Sequence, residues 1–303
     1  MSAPPARTAP PPRLVEVPCH LCAGREQALL FADPPFRVVR CTGCGLVYVT
    51  PRHEEGALRD LYEDESYWKS DAAKDRGYTD YLRDEPLYLR TYRRRYRLIA
   101  RHCPRPGRAL DVGCAAGYFL SVLAARGWQV SGVEVSPFVA RFAREHFGLP
   151  DIRVGSLEEA GFPPAAFDLV TFWDVLEHLP DPRRALKTAR ALVRPDGVLV
   201  LETQNVRSFF ARLLGRRWHH FKQPEHLYHF DRDTIGRLLL EGGFEVVENR
   251  PFLGGKYVSL GFLAERSARV SRVLGRLLAP LARSRGALYV NPFDEMIVVA
   301  RPR

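Results

Sequence analysis

Three groups of residues carry the chemistry of this chain. Cys19-His-Leu-Cys22 and Cys41-Thr-Gly-Cys44 are two C-x-x-C knuckles with eighteen residues between them. Four thiolates at that spacing can close a tetrahedral Zn²⁺ site, and with every ligand position taken by sulfur the metal would be structural. Gly24 and Gly45 follow the knuckles and can take the left-handed backbone that turns amides toward sulfur. A redox dithiol and disulfides are the alternatives, which a reducing setting disfavours. The second group is Arg108-Ala-Leu-Asp-Val-Gly-Cys-Ala-Ala-Gly117, followed by Val130-Ser-Gly-Val-Glu134. It reads as strand, glycine turn, helix and a second strand ending on a carboxylate, the βαβ half that holds a nucleoside. A dinucleotide site wants G-x-G-x-x-G, aiming a helix N-terminus at pyrophosphate. Here Gly113, Ala115 and Gly117 fall every second position behind Asp111. That pattern suits a ligand without phosphate, such as S-adenosylmethionine (SAM): Asp111 can meet an ammonium and Glu134 two ribose hydroxyls. An ordinary βα turn and an NAD site stand as alternatives. The third group sets carboxylates beside imidazoles, in Asp174-Val-Leu-Glu-His178 and Pro224-Glu-His-Leu-Tyr-His-Phe230. Such pairs can remove a proton near neutral pH, or hold a divalent metal.

The surrounding pattern says what must position them. Predicted strands over 108–112, 128–134, 151–154, 167–173 and 197–203 alternate with predicted helices over 117–126, 136–147 and 182–193. A helix over 231–241 and strands over 244–248 and 295–300 follow. This alternation specifies an α/β fold with a parallel sheet covered on both faces. Residues 54–102 read as helical, with Leu89, Tyr92, Tyr96 and Ile99 on one face and Tyr78 and Tyr81 ahead of it. The expected organisation is a Pro-rich tail over 1–17, a ribbon over 18–52, a helical lid or linker over 53–105 and the main domain over 106–303. Residues 205–230 and 258–284 are acceptor-side insertions, the latter a basic amphipathic helical excursion that could touch a membrane surface or a partner.

The chain has 303 residues, 46% of them hydrophobic, enough for one large domain plus a small module. No apolar run reaches transmembrane length, and the tail lacks the apolar stretch of a signal peptide, so a cytoplasmic location is expected. The net charge of +10 raises nucleic-acid binding. Its arginines, over 90–101, 207–217 and 266–285, recur at helical intervals instead of forming one patch, so an anionic acceptor such as a nucleotide-sugar explains the charge equally well.

Asp111-Val-Gly-Cys-Ala-Ala-Gly117, Glu134 and the run Phe167 to Leu179, in that order, resemble the class I SAM-dependent methyltransferases. With the double knuckle and Pro224 to Phe230, the whole chain is similar to bacterial zinc-ribbon methyltransferases of polysaccharide or secondary-metabolite modification. The resemblance implies a Rossmann-like sheet of seven strands, helices on both faces and the last strand antiparallel. It implies SAM contacts from Asp111, Gly113, Ala115, Gly117, Glu134, Ser156, Leu157, Trp173 and Asp174, with Ala115 where glycine is commonest and Ser156 in place of a frequent Asp. The Asp174, Glu177, His178 cluster resembles one that holds a divalent metal in some ubiquinone-biosynthesis O-methyltransferases, with shaping the acceptor mouth as its other use. Glu225-His226 resembles an element of deoxysugar C-methyltransferases, implying His226 as acceptor base, oriented by Glu225. His178 is the second catalytic candidate, and His219 and His220 beside Trp218 are further ones. The expected activity is methyl transfer from SAM to a small-molecule or carrier-linked acceptor, a sugar, glycan or secondary metabolite, with structural zinc in Cys19, Cys22, Cys41 and Cys44. An RNA methyltransferase gripping nucleic acid with its ribbon, and a non-enzymatic SAM-fold scaffold, are the alternatives.

Overall fold

The computed structural model describes residues 12–69, 81–251, 254–264, 272–280 and 286–303; the start of the Pro-rich tail, Tyr78 and parts of the 258–284 excursion lie outside them. Nearly continuous apolar runs make the central strands. In β9 (Phe167–Trp173), six of seven residues are buried, as a strand covered on both faces requires. The seven-stranded sheet follows the order β12 (Phe244–Arg250), β15 (Glu295–Pro302), β10 (Val193–Gln204), β9, β6 (Arg108–Val112), β7 (Gln129–Glu134), β8 (Ile152–Val154). β15 runs antiparallel to both its neighbours, and the pairs from β10 to β8 are parallel. The order reverses at β6, which places the switch point of the sheet at the glycine turn.

Helices follow their end signals. Asp181 accepts the backbone N–H of Arg184 at 3.0 Å and Pro182 opens the helix Pro182–Leu192. Asp231 and Thr234 close a reciprocal capping box on Arg232–Glu241. Among the described residues of 54–102 the structure gives the helices Glu55–Glu63, Ser66–Lys69 and Glu85–His102. The last buries Thr91, Arg95, Leu98 and Ile99, so its buried face includes a cation that apolar spacing could not reveal. Arg95 reaches across the sheet to Glu202 in β10, with side chains 3% and 0% exposed.

The N-terminal module is a ribbon of β2 (Gln27–Asp33), β3 (Phe36–Cys41) and β4 (Val47–Val49). A fourth strand comes from far along the chain: β11 (Tyr228–His229) pairs antiparallel with β4. β1 (Leu14–Val15) pairs with β5 (Arg52–His53) beside it. The excursion after β12 begins and ends in an antiparallel pair, β13 (Lys256–Ser259) with β14 (Ala287–Val290), and its described interior includes the helix Arg272–Leu278. The sequence of 258–284 predicts a helical segment alone, because four-residue strands paired across about thirty residues leave no local periodicity.

The Arg95 and Glu202 pair should dominate local stability. Arg95→Met strands a carboxylate in the core and is expected to cost about 3–5 kcal/mol, most of it recovered in the double variant Arg95→Met/Glu202→Leu. Urea denaturation of the three proteins measures this; a double variant as unstable as the single would refute it.

Candidate active site

The carboxyl ends of β6, β7 and β9 open onto a cavity of about 1490 Å³, larger than the ~300–1,000 Å³ usual for one small ligand. Its donor side is the glycine turn. Gly113, Ala115 and Gly117 take φ of +66°, +46° and +77°. A Cβ on Gly113 would stand 2.6 Å from Val175 Cγ2, and one on Gly117 2.8 Å from Leu149 Cδ1, so neither position admits a side chain. Ala115 holds the left-handed conformation without glycine, and its N–H donates to Glu134 Oε2 at 2.8 Å. The N–H of Ser136 donates to the other oxygen, Oε1, at 2.9 Å. Each oxygen thus keeps a lone pair for a further donor. Asp111 accepts the hydroxyl of Thr171 at 2.6 Å. Burial raises its carboxyl to about 8, against the pull of Thr171 and with a push from Glu134. Burial also raises Glu134, opposed by the amides of Ser136 and Ala115. With no cation beside it, Asp111 favours its neutral form.

Other expected donor residues are spread around this loop. Asp111, Gly113, Ala115, Glu134, Ser156, Leu157, Trp173 and Asp174 line the cavity. Gly117 stands behind the turn, against Ala143 and Leu149. The Ser156 amide and hydroxyl both donate to Glu159 Oε2, at 3.0 and 2.9 Å. Asp174 takes φ +54°, and Lys256 Nζ lies 2.9 Å from its carboxylate and 2.8 Å from that of Glu295. Burial pushes Asp174 up, but Lys256 and Arg95 hold it below the usual range.

Across the cavity stand the histidines. His178 Nδ1 lies 3.0 Å from the carbonyl of Glu225 and 2.7 Å from Tyr62 Oη. A carbonyl only accepts, so Nδ1 is assigned the proton and Nε2 keeps its lone pair. The ring of His226 meets that of His178 at 4.5 Å, nearly perpendicular, and its buried Nδ1 has no hydrogen-bond partner. Burial, reinforced by the charge of Lys222, brings His178 down to about 4. Burial and then His178 hold His226 well below its ordinary value. Glu177, which accepts the hydroxyl of Thr203 at 3.0 Å, is raised to about 8 by burial and by Asp174. Donor atoms of Glu177, His178 and His226 lie within 4.8 Å of one another, close enough to share a proton path or a cation. Glu225 is outside the cavity lining and accepts the hydroxyl of Tyr67 at 3.2 Å. Tyr228 also points elsewhere: Arg52 donates to its oxygen at 2.7 Å and it donates to the carbonyl of Pro180 at 2.9 Å.

The four knuckle sulfurs lie within 4.8 Å of one another, with Cys19 to Cys44 and Cys22 to Cys41 each at 3.4 Å. That is close to the ~3.8 Å edge of a tetrahedron of ~2.3 Å Zn–S bonds. Burial raises the Cys19 thiol to about 11 and pushes Cys44 up as well, while against burial the amides of Cys44 and Gly43 and the thiol of Cys22 bring Cys41 down to about 7. The donor set fits Zn²⁺. Arg183 donates to the carbonyls of His20 and Leu21 at 3.0 and 2.6 Å, tying the first knuckle to the main domain. Lys256 and Tyr62 were not singled out from sequence; each reaches the site from a segment with no motif of its own.

A family profile described as a methyltransferase domain matches residues 81–249, more than half of the chain. The ubiquinone biosynthesis O-methyltransferase of Xanthomonas campestris pv. campestris (strain B100) is 35% identical over 141 residues, 41% of this chain and 59% of that protein. The chain thus spans little more than half the length of this curated relative. A SAM-dependent methyltransferase from Archaeoglobus fulgidus superposes with a TM-score of 0.51 at 20% identity, covering 73% of this chain and 98% of that one. The PH0226 protein from Pyrococcus horikoshii OT3 does so at 0.50 and 16%, covering 80% and 99%. Both likenesses concern the fold, and they agree with the sheet described above. By the profile that spans most of its sheet, the chain belongs to the class I SAM-dependent methyltransferases.

Proposed function

We propose that the protein methylates a hydroxyl on a small or carrier-linked acceptor, a sugar, glycan or other ring-bearing metabolite, with SAM as donor. The observation that carries this reading is that one cavity holds both the glycine turn with its two buried acids and the cluster of Glu177, His178 and His226. Its volume leaves room for donor and acceptor together. The similarity to a Xanthomonas O-methyltransferase supports oxygen as the methylated atom.

SAM supplies a methyl group on a sulfonium, already electrophilic. The protein's part is to align the nucleophile and take its proton. In this reading Asp111 meets the ammonium of the donor, Glu134 its ribose hydroxyls, the Ser156-Leu157 loop its base, and Trp173 and Asp174 the region between. His226 takes the acceptor proton while the O–CH₃ bond forms, the CH₃–S bond breaks and its electron pair stays on sulfur. His178 backs that ring, and Glu177, whose carboxyl burial holds neutral, closes the cluster around it. Glu225, through Tyr67, holds the segment that carries His226. The ribbon holds zinc as a structural ion, and the protein works in the cytoplasm.

Incubating labelled SAM with the protein and a cell extract fractionated into glycan, lipid, small-molecule and RNA pools tests the acceptor class. Label in RNA would select the nucleic-acid alternative, and label in no pool would favour a scaffold. His226→Ala should lower kcat by about 10²–10⁴-fold while the calorimetric Kd for SAM stays within a few-fold; loss of both alike would remove His226 from the base role.

The raised carboxyl of Asp111 gives a second test. Its folded value of about 8 lies above the ordinary 3.8, so near neutral pH the free site holds a proton that an incoming ammonium must displace. SAM binding should therefore release close to one proton per site, read from calorimetry in buffers of different ionisation enthalpy. Asp111→Asn should abolish the release.

The ribbon assignment predicts one tightly held zinc per chain by elemental analysis. Cys41→Ser should lose it and lower the melting temperature. A fully folded, metal-free wild-type protein would overturn the assignment.

A further inference from the structure

A second group of ligand-type side chains lines the same cavity, next to the cluster just described but separate from it. His219, His220 and Asp294 bring Nε2, Nε2 and a carboxylate oxygen within 4.8 Å of one another. The two nitrogens lie 3.7 and 3.8 Å from Asp294 Oδ2. Those separations are too long for hydrogen bonds. They match two ligands that each stand ~2.0–2.2 Å from a shared ion at a wide angle.

The group is built, not adventitious. His220 has its side chain 8% exposed, and its Nε2 is buried with no hydrogen-bond partner. That is an uncommon state for a buried polar atom, and a ligand would satisfy it. Asp294 is 1% exposed. Trp218 Nε1 donates to its Oδ2 at 2.8 Å, and its own carbonyl accepts the N–H of Asn205 at 2.7 Å. A donor that fixes the ligating carboxylate from behind is what outer-shell groups do in metal sites. His219, at 44% exposed, opens the group toward solvent and gives an ion a way in.

We propose that His219, His220 and Asp294 form a binding site for a divalent transition-metal ion on the acceptor wall of the cavity. Two imidazoles and one carboxylate select Zn²⁺, Co²⁺ or Fe²⁺ over Mg²⁺ or Ca²⁺, which prefer all-oxygen shells. Three protein ligands leave coordination positions open toward the cavity, where an oxygen of a bound molecule can enter. The site does not rest on the identity of the acceptor or on His226 as base.

The test uses the full-length protein with its ribbon zinc-loaded and Co²⁺ as probe, followed by calorimetry and visible absorption. The expected result is one saturable equivalent of Co²⁺ with no sulfur-to-metal charge-transfer band, which separates it from the knuckles. That equivalent should vanish in His219→Ala, a change at a half-exposed position, and in Asp294→Asn, which keeps the acceptor for Trp218. It should persist in Glu177→Gln on the neighbouring cluster. Circular dichroism and melting curves establish that the variants are folded. Absence of Co²⁺ binding by the wild-type protein, binding that survives both His219→Ala and Asp294→Asn, or binding lost only in Glu177→Gln would each overturn the proposal.

Discussion

Leu227 joins the ribbon to the main domain through both of its backbone groups, with its side chain in the core the two share. Its N–H donates to the carbonyl of Glu177 at 2.8 Å, and its carbonyl accepts the N–H of Val49 at 2.9 Å. The first bond reaches the turn that carries His178; the second reaches the ribbon. Both are buried with Leu227 itself, so neither can be exchanged for water without cost. On one side Tyr228 continues into the ladder with Tyr48. On the other stands His226, whose N–H is taken by the carbonyl of Lys222 at 2.9 Å. The relative placement of His178 and His226 is therefore set by the fold of the ribbon. A module that could be read as a separate domain is part of the scaffold of the site.

Around that junction burial pushes ionisable groups toward neutrality, and opposite charges oppose it. Arg95 has Glu202, and Lys256 stands between Asp174 and Glu295. Where no partner exists, the group goes neutral: Asp111 and Glu177 are pushed up, His178 and His226 down. Lys256 comes from the strand that opens the excursion after β12. Through it that segment reaches Asp174, next to the last residue of β9, and connects the acceptor side to the donor side.

How much of this can be read from the chain follows from what is local. The glycine turn is local, since Asp111, Gly113, Ala115, Gly117 and Glu134 sit on consecutive elements, and the structure keeps their order at the switch point. The knuckles are local in the same sense. Arg95 is not, because a helix face with an arginine in it looks solvated until Glu202 is found on a strand more than a hundred residues away. β11 is two residues long and gains its strand character only from β4. Glu225 illustrates the opposite failure: its place beside His226 suggested an orienting partner, while its side chain turns to Tyr67 and lies outside the cavity lining. Residues 223–225 lie in a turn, where adjacency along the chain does not put two side chains on one wall.

The neutral histidines look ill suited to accept a proton, since burial penalises an imidazolium. The proposed reaction removes that objection through charge balance. Before transfer the donor's sulfonium carries a positive charge; afterwards sulfur is neutral and His226 carries the proton. The net charge enclosed by the walls is unchanged, so His226 gains its proton as the competing cation disappears. The new imidazolium adds to the pull of Lys256 on Glu177, whose carboxyl burial and Asp174 raise to about 8. A cluster that is neutral at rest thus becomes a proton acceptor only as methyl transfer proceeds, which couples deprotonation to the step that needs it.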